Sequence, residues 1–394
     1  MTRRLFPLFF IFVCTSVAWM ILGASTDIRT QDQDTVLRNR VGQLWGTEQH
    51  QSVPLVYSDD RSVTMDSSDI SVNLTADHRK KGLLWYSTYR VQFDGKYRVT
   101  VPSDSARKYT LSYQFPAEQG IYDNFRILMN GKEFNDVVQD KGFARVDFSP
   151  EPGASTDFEV SYGSQGLNKW WYEFGSGVAQ IRNFHLSMTT DFEDINFPDN
   201  SISPTNKTKI ANGWKLTWDY KSLVSGIQIG MEIPQKLNPG PFVSRVSYFA
   251  PVSLFFFFFL MFIITTVRRI NIHPMNYFFL AAAFFAFHLL LSYLADHVPL
   301  AAAFTIASLV SIGLVTSYMR LVVGLKFALL EVGLAQFVYL VLFSFAFFLE
   351  GYTGLAVTIC AILTLFVVMQ LTGRVNWGEQ FRETAPRDQL QPIQ

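Results

Sequence analysis

Apolar residues gather in six stretches of this chain, at 5–24, 247–267, 275–295, 299–318, 327–348 and 353–372. A helix needs about 20 apolar residues to cross the hydrocarbon core of a bilayer, so the pattern predicts six membrane-spanning helices. Between the first and the second the period changes. Residues 26–45 read as a polar continuation of the first helix: Leu37, Val41 and Leu44 recur at three- and four-residue spacing, and Gly46 stands where a helix often stops. Beyond Gly46 the chain alternates with a period of two. "WYSTYRVQFDGKYRVTV" (85–101) alternates around Asp94-Gly95, a dipeptide that signals a two-residue hairpin, and "FRILMNGKEF" (125–134) repeats the device with Asn130-Gly131. "KYTLSYQF", "DFEVSYG", "VAQIRNFHLSM" and "WKLTWDY" read as further strands. Short strands separated by turn residues predict an antiparallel β-sandwich. "IPQKLNPGPF" (233–242), with three prolines, reads as an irregular link back into the membrane.

The predicted fold class is therefore a multi-pass α-helical membrane protein with a large external all-β, sandwich-like domain inserted between its first two spans. Its parts are an N-terminal anchor (1–24), a juxtamembrane helix (25–45), an external β-rich domain (46–245), a five-helix block (246–372) and a tail (373–394). The first span opens on "MTRR" and ends near "LGAS", as a signal peptide does. Its apolar run exceeds the roughly 7–15 residues of a signal core, and an uncleaved anchor is expected. Under six spans, Arg3, Arg4, Arg268, Arg269, Arg320, Lys326, Arg374, Arg382 and Arg387 fall on one side. The short opposite loops carry Asp296 and Glu350 and no Lys or Arg. The positive-inside rule then predicts cytoplasmic termini and residues 25–245 outside. The long helix after the anchor and the proline-bounded return would hold the sandwich close to the bilayer.

Composition sharpens this picture in two places. The formal net charge is zero, which argues against a nucleic-acid partner, and residues 25–245 hold 24 basic and 27 acidic residues, a balance of −3. That suits a soluble domain better than a polybasic membrane-surface patch. Both cysteines, Cys14 and Cys360, lie in apolar runs, so neither a structural disulfide in the polar insert nor a thiolate metal site is expected. The run "FFFFF" (255–259) is simply apolar enough to face lipid.

Candidate chemistry is sparse. His288, Ser292 and Asp296 fall four residues apart on one helix face, with His297 beside them at the external end of the span. Ionisable groups at membrane depth suggest function by default. A neutral histidine bonded to a neighbouring helix and a charged pair at the water boundary account for them as structure, and that reading is preferred. His273-Pro274 opens the third span, where the histidine can cap the helix or pair with Glu331. Glu331, near Lys326 and Arg320, and Gln336 are the other polar candidates of the helical block. In the outer domain the adjacent Trp170 and Trp171 cannot face the same side of a strand, so one is expected in the core and the other at a surface that could stack on a ligand. Asp191, Glu193, Asp194 and Asp199 lack the glycine and spacing of a calcium loop and read as a solvated acidic turn. His50, His78 and His185 stand without a partner at readable spacing. There is no HExxH, no GxSxG and no phosphate-cradling glycine loop. No catalytic, metal or cofactor residue is assigned, no cofactor is expected, and a non-enzymatic role is.

Several stretches, in order along the chain, resemble the CreD family of bacterial inner-membrane proteins. These are "LWGTEQHQSVP" (44–54), "RKKGLLWYSTYRVQFDGKY" (79–97), "NIHPMNY" (271–277), Asp296-His297, "LEGYTGL" (349–355) and "TGRVNW" (372–377). The middle of the outer domain, with "GLNKWWYEFG" and "TTDFEDINFPDN", matches loosely. Glu350-Gly351 stands where two acids are expected and Asn376 where an aspartate is, which marks a diverged member. The resemblance implies a role in cell-envelope integrity, linked to envelope or β-lactam stress, and implies no reaction. The expected function is a scaffold or regulator of a partner complex. Its partners would be the lipid bilayer and one or more envelope proteins, with homo-oligomerisation left open. The rivals are a transporter or handler of a lipid-linked envelope precursor, relying on His288, Glu331 and Gln336, and a sensor of wall fragments, relying on Trp170 or Trp171.

Overall fold

The computed structural model describes residues 2–58, 61–81, 84–103, 108–134, 137–175, 177, 179–349 and 351–373. Two compact units emerge: residues 1–32 with 238–394, and residues 33–237. The expectations for Glu350, Arg374, Asn376, Arg382, Arg387 and the 373–394 tail fall wholly or almost wholly outside the described residues, as do the side chains of Arg3 and Arg4.

The first unit is helical. Among the described residues, six of its helices are long and apolar enough to cross a membrane. They are α1 (Thr2–Trp45, whose last turns belong to the other unit), α2 (Pro239–Val267), α3 (Pro274–Leu294), α4 (Leu300–Val323), α5 (Leu325–Phe348) and α6 (Thr353–Thr372). The polar residues 26–45 continue α1 without a break for 44 residues in all. At its end Gly46 takes φ +99°, and its N–H donates to the Gly42 carbonyl at 3.0 Å, closing the last turn. The proline-rich link is shorter than the sequence suggests. Asn238 is the N-cap of α2, and Pro239 and Pro241 lie in its first turn, where a missing N–H costs no intrahelical bond. α5 is irregular, with π-helical turns at Ala328–Gly333 and Phe337–Leu342 and a closing 3₁₀ turn at Ala346–Phe348. Such turns free carbonyls for other donors, and the Tyr339 carbonyl accepts from the Ser253 hydroxyl of α2.

The second unit is β-rich. Among the described residues its largest sheet runs, in spatial order, Lys132–Glu133, Tyr122–Met129, Ser155–Leu167, Thr88–Thr100, Ser67–Ala76, Ala179–Thr190, Gly213–Ser225 and Asn206–Ile210. A second sheet orders Val138–Asp140, Phe143–Phe148, Tyr109–Gln114, Leu55–Ser58 and Arg61–Val63. A third orders Gln49–Ser52, Lys169–Glu173 and Ile229–Glu232. All three contribute to one core, with Val72, Phe93 and Phe158 from the first, Leu111, Tyr113 and Val146 from the second, and Trp170, Tyr172 and Met231 from the third. The pairing is not purely antiparallel: Ala179–Thr190 runs parallel to Ser67–Ala76, and Gln49–Ser52 parallel to Lys169–Glu173.

The two Gly-turn signals part company. Asn130 and Gly131 take φ 49° and 76° and turn Tyr122–Met129 into Lys132–Glu133, as expected of that dipeptide. Asp94-Gly95 makes no turn. The strand Thr88–Thr100 passes straight through it, paired on both edges, with Gly95 opposite Ile70 on one side and Val160 on the other. Gly95 is needed for space: a Cβ there would come within 2.8–2.9 Å of the Tyr97 and Phe93 rings, its neighbours two residues away on the buried face. Alternation along this strand is otherwise clean, with Val91, Phe93, Tyr97 and Val99 buried and Gln92, Asp94, Lys96 and Arg98 exposed.

A small satellite cluster gathers the end of α1. Val41, Leu84, Tyr86 and Leu167 are buried together, with Leu37 and Trp45 packed against them. The Arg79 guanidinium lies 4.4 Å over the Trp45 ring and bonds Asp77 at 2.6 Å, and Arg90 reaches the same Asp77 oxygen at 3.1 Å. Burial by itself would raise the Asp77 carboxyl. The hydrogen bonds and charges of Arg79 and Arg90 outweigh it and hold the carboxyl below its ordinary range. A carboxyl lowered by folding stabilises the fold at pH above its unfolded value of about 3.9, and that contribution is lost as pH falls through the lower folded value. Asp77→Asn should therefore flatten the acid limb of the pH–stability curve below about pH 4. Equilibrium unfolding of both chains across that range checks it, and an unchanged slope would refute the assignment.

Candidate functional site

The polar residues of α3 meet α1. His288 is 1% exposed. Its Nδ1–H donates to the Phe284 carbonyl at 3.0 Å, so its Nε2 is left as an acceptor without a partner among the described residues. Its ring meets Trp19 of α1 edge-on, with centroids 5.3 Å apart, and the Trp19 Nε1–H is likewise buried and unpartnered. One turn along α3, the Ser292 hydroxyl lies 3.2 Å from that of Thr26. One turn further, Asp296 accepts an ion pair from Arg29 at 3.1 Å, and Arg29 also reaches the Ser292 carbonyl at 3.4 Å. Four-residue spacing on α3 is thus answered by Trp19, Thr26 and Arg29 on α1. Those three were not singled out in the sequence. Polar Thr26 and Arg29, three residues apart just past an apolar run, were the available signal. His297 is exposed, and its neighbour Asp296 pairs across to α1.

At the other end of the helical block, His273 is the N-cap of α3 and accepts from the Met275 N–H at 3.3 Å. It does not pair with Glu331. That carboxylate takes Arg268, from the end of α2, at 2.5 Å, where Lys326 and Arg320 were the basic neighbours suggested by sequence. Gln336, fully buried between the two π-helical turns of α5, donates through Nε2 to the Ser311 hydroxyl at 2.7 Å, and Ser311 donates to the Ala283 carbonyl at 2.7 Å. A single chain of hydrogen bonds so ties α5, α4 and α3 together. Tyr339 of α5 and Thr364 of α6 share a further bond at 2.7 Å.

In the β-rich unit, the adjacent tryptophans part as alternation demands. Trp170 is fully buried beside Tyr172. Trp171 is half-buried and lies parallel to the His50 ring, at 6.2 Å and 9°. His50 in turn contacts Glu173 at 2.7 Å. Gly230 makes the seat for the Trp171 ring, since a Cβ there would sit 2.7 Å from it. The acidic stretch is engaged locally: Asp191 accepts from the Ala76 N–H at 2.8 Å and Glu193 pairs with Lys209 at 3.2 Å. Beneath this surface is a buried polar group absent from the sequence reading. Gln51 Oε1 accepts from the hydroxyls of Tyr113 at 2.5 Å and Tyr162 at 2.8 Å, and burial pushes both phenols well above their ordinary values. Gln49 donates to Ser164 and to the Gln165 carbonyl. Among the described residues no group of three His, Cys, Asp or Glu is placed to hold a metal ion.

These features define a class: a protein with six helices apolar enough to span a membrane, joined by hydrogen bonds and ion pairs between helices, and a large β-rich unit between the first and the second. The family model described as inner membrane protein CreD matches residues 228–378, from the last strand of the β-rich unit through the helical block. Over those residues the chain matches the CreD family. No curated protein sequence matches it. Among solved structures it is similar to a provisionally named nutrient binding protein from Legionella pneumophila, at 10% identity and a TM-score of 0.35, over 52% of this chain and 75% of that one. It is also similar to an M1 zinc metallopeptidase from Deinococcus radiodurans, at 10% identity and a TM-score of 0.28, over 44% of this chain and 43% of the peptidase.

Proposed function

We propose that this protein supports cell-envelope integrity as a non-enzymatic scaffold or regulator of a partner complex, with its termini in the cytoplasm and the β-rich unit, built as a sandwich, on the outer side of the inner membrane. The observation that carries the reading is how the polar groups of the helical block are used. Thr26–Ser292, Arg29–Asp296, Arg268–Glu331 and Gln336–Ser311 each join two helices. Polar pairs between apolar helices fix which faces meet and how far each helix is turned. Such a block is suited to presenting a fixed surface to a partner, and the match of residues 228–378 to the CreD family supports a role at the inner membrane.

In-cell crosslinking of the tagged protein, purification in native lipid and mass spectrometry of what is retained test the proposal. A protein partner in fixed ratio supports it, and retention of a lipid-linked precursor with no protein would overturn it. A second test uses variants. His288 bonds only the Phe284 carbonyl of its own helix and joins no second helix by a hydrogen bond among the described residues. His288→Leu should therefore leave abundance and resistance to envelope stress near those of the parent chain. Loss of resistance in that variant at full abundance would instead favour transport through the block.

A further inference from the structure

At the basic end of α2, two cavities meet. One, of about 350 Å³, is lined by Thr265, Thr266, Arg269, Asn271 and the start of α3. The other, of about 400 Å³, is a trough between α1 and α2 walled by Phe9, Phe12, Phe255, Phe258 and Phe259. Leu8 and Phe262 line both, so the polar end opens into the aromatic trough.

Depth and charge match one kind of occupant. A leaflet's hydrocarbon is about 15 Å deep, half of the roughly 30 Å core, which is about ten residues of helix. From Arg269 the trough reaches Phe262 after seven residues and Phe259 after ten, within the leaflet at the basic end, and its far end at Phe255 extends past that depth. The two arginines at that end differ. Arg268 is committed to Glu331 and lies over the Phe327 ring. Arg269 lines the cavity and pairs with no carboxylate among the described residues. Arg269 also holds φ 56°, the left-handed region that glycine takes at less cost. An arginine thus stands at a helix end where glycine would cost the backbone less, with no carboxylate partner among the described residues.

We infer that Arg269, with the trough between α1 and α2, forms a binding site for an anionic phospholipid. The phosphate would sit at the guanidinium in the polar cavity and one acyl chain would lie along the phenylalanines. The site stands whether or not the scaffold reading holds, because it needs only the helical block in a bilayer.

Native mass spectrometry of the full chain, reconstituted in equal parts of phosphatidylglycerol and phosphatidylethanolamine and released from detergent, tests the site. Phosphatidylglycerol should be retained in preference to phosphatidylethanolamine. Arg269→Gln should cut that retention by roughly fivefold, the effect of one basic residue near an anionic surface. Leu8→Trp, which fills the junction of the two cavities, should cut it too, while Lys326→Gln, an exposed cation elsewhere, should not. Equal retention of the two lipids would overturn the site. So would an undiminished anionic adduct in Arg269→Gln, or the same loss in Lys326→Gln. Circular dichroism of each variant, which should match the parent chain, separates loss of lipid from loss of fold.

Discussion

Gly46→Ala should lower the stability of the β-rich unit by about 3 kcal/mol or more. Gly46 holds φ +99°, and a Cβ added there would lie 2.3 Å from the Gln165 carbonyl oxygen and 3.1 Å from its carbon. Neither atom belongs to a side chain that could swing away. Gln165 lies within the strand Ser155–Leu167, opposite Arg90, and two residues on, the Leu167 N–H donates to the Thr47 carbonyl at 3.1 Å. The left-handed backbone alone costs a non-glycine residue about 1–3 kcal/mol, and forced displacement of a paired strand adds to it. Gly131→Ala is the control. Gly131 has φ +76° but nothing within 4 Å of its Cβ position, so only the backbone cost applies. Urea unfolding followed by tryptophan fluorescence reports on both, since Trp170 and Trp218 are buried in this core. A Gly46→Ala chain no less stable than Gly131→Ala would refute the close approach.

Gln51→Leu should cost the same unit about 1–3 kcal/mol. The leucine keeps roughly the volume and removes the acceptor that the Tyr113 and Tyr162 hydroxyls share; these hydroxyls also bond each other, so one keeps an acceptor and the other loses its own. A hydroxyl left without an acceptor in the core costs about 1–3 kcal/mol. Burial keeps both phenols protonated, so they cannot escape the penalty by ionising. Replacing both partners by apolar groups of similar shape is far milder than replacing one. Adding Tyr113→Phe and Tyr162→Phe to Gln51→Leu should accordingly recover most of the loss. If the triple variant is no more stable than the single one, the hydroxyl–amide bonds are not what holds this layer.

Much of the architecture was legible because it rests on local periodicity. Long apolar runs marked the six helices, and alternation along residues 88–100 marked which side chains enter the core. Trp170 and Trp171 were separable for the same reason, since successive residues of a strand face opposite ways. Asp94-Gly95 shows the limit. The dipeptide has the chemistry of a turn, yet strands on both edges supply the hydrogen bonds that keep it extended, and the glycine serves the neighbouring rings.

The candidate site was half legible. Spacing placed His288, Ser292 and Asp296 on one face of α3, but their counterparts Trp19, Thr26 and Arg29 lie more than 260 residues earlier, as the separation of 263 between Arg29 and Ser292 shows. Glu331 had basic neighbours in sequence and took Arg268 from another helix. Hydrophobic and polar patterning by itself determined the number of helices, the β-rich insert and the faces of strands, because those depend on each residue and its near neighbours. Only the tertiary structure decided which polar groups pair, which glycine turns and which glycine makes room. Partners there are chosen by distance across packed elements, and chain order carries no measure of that distance.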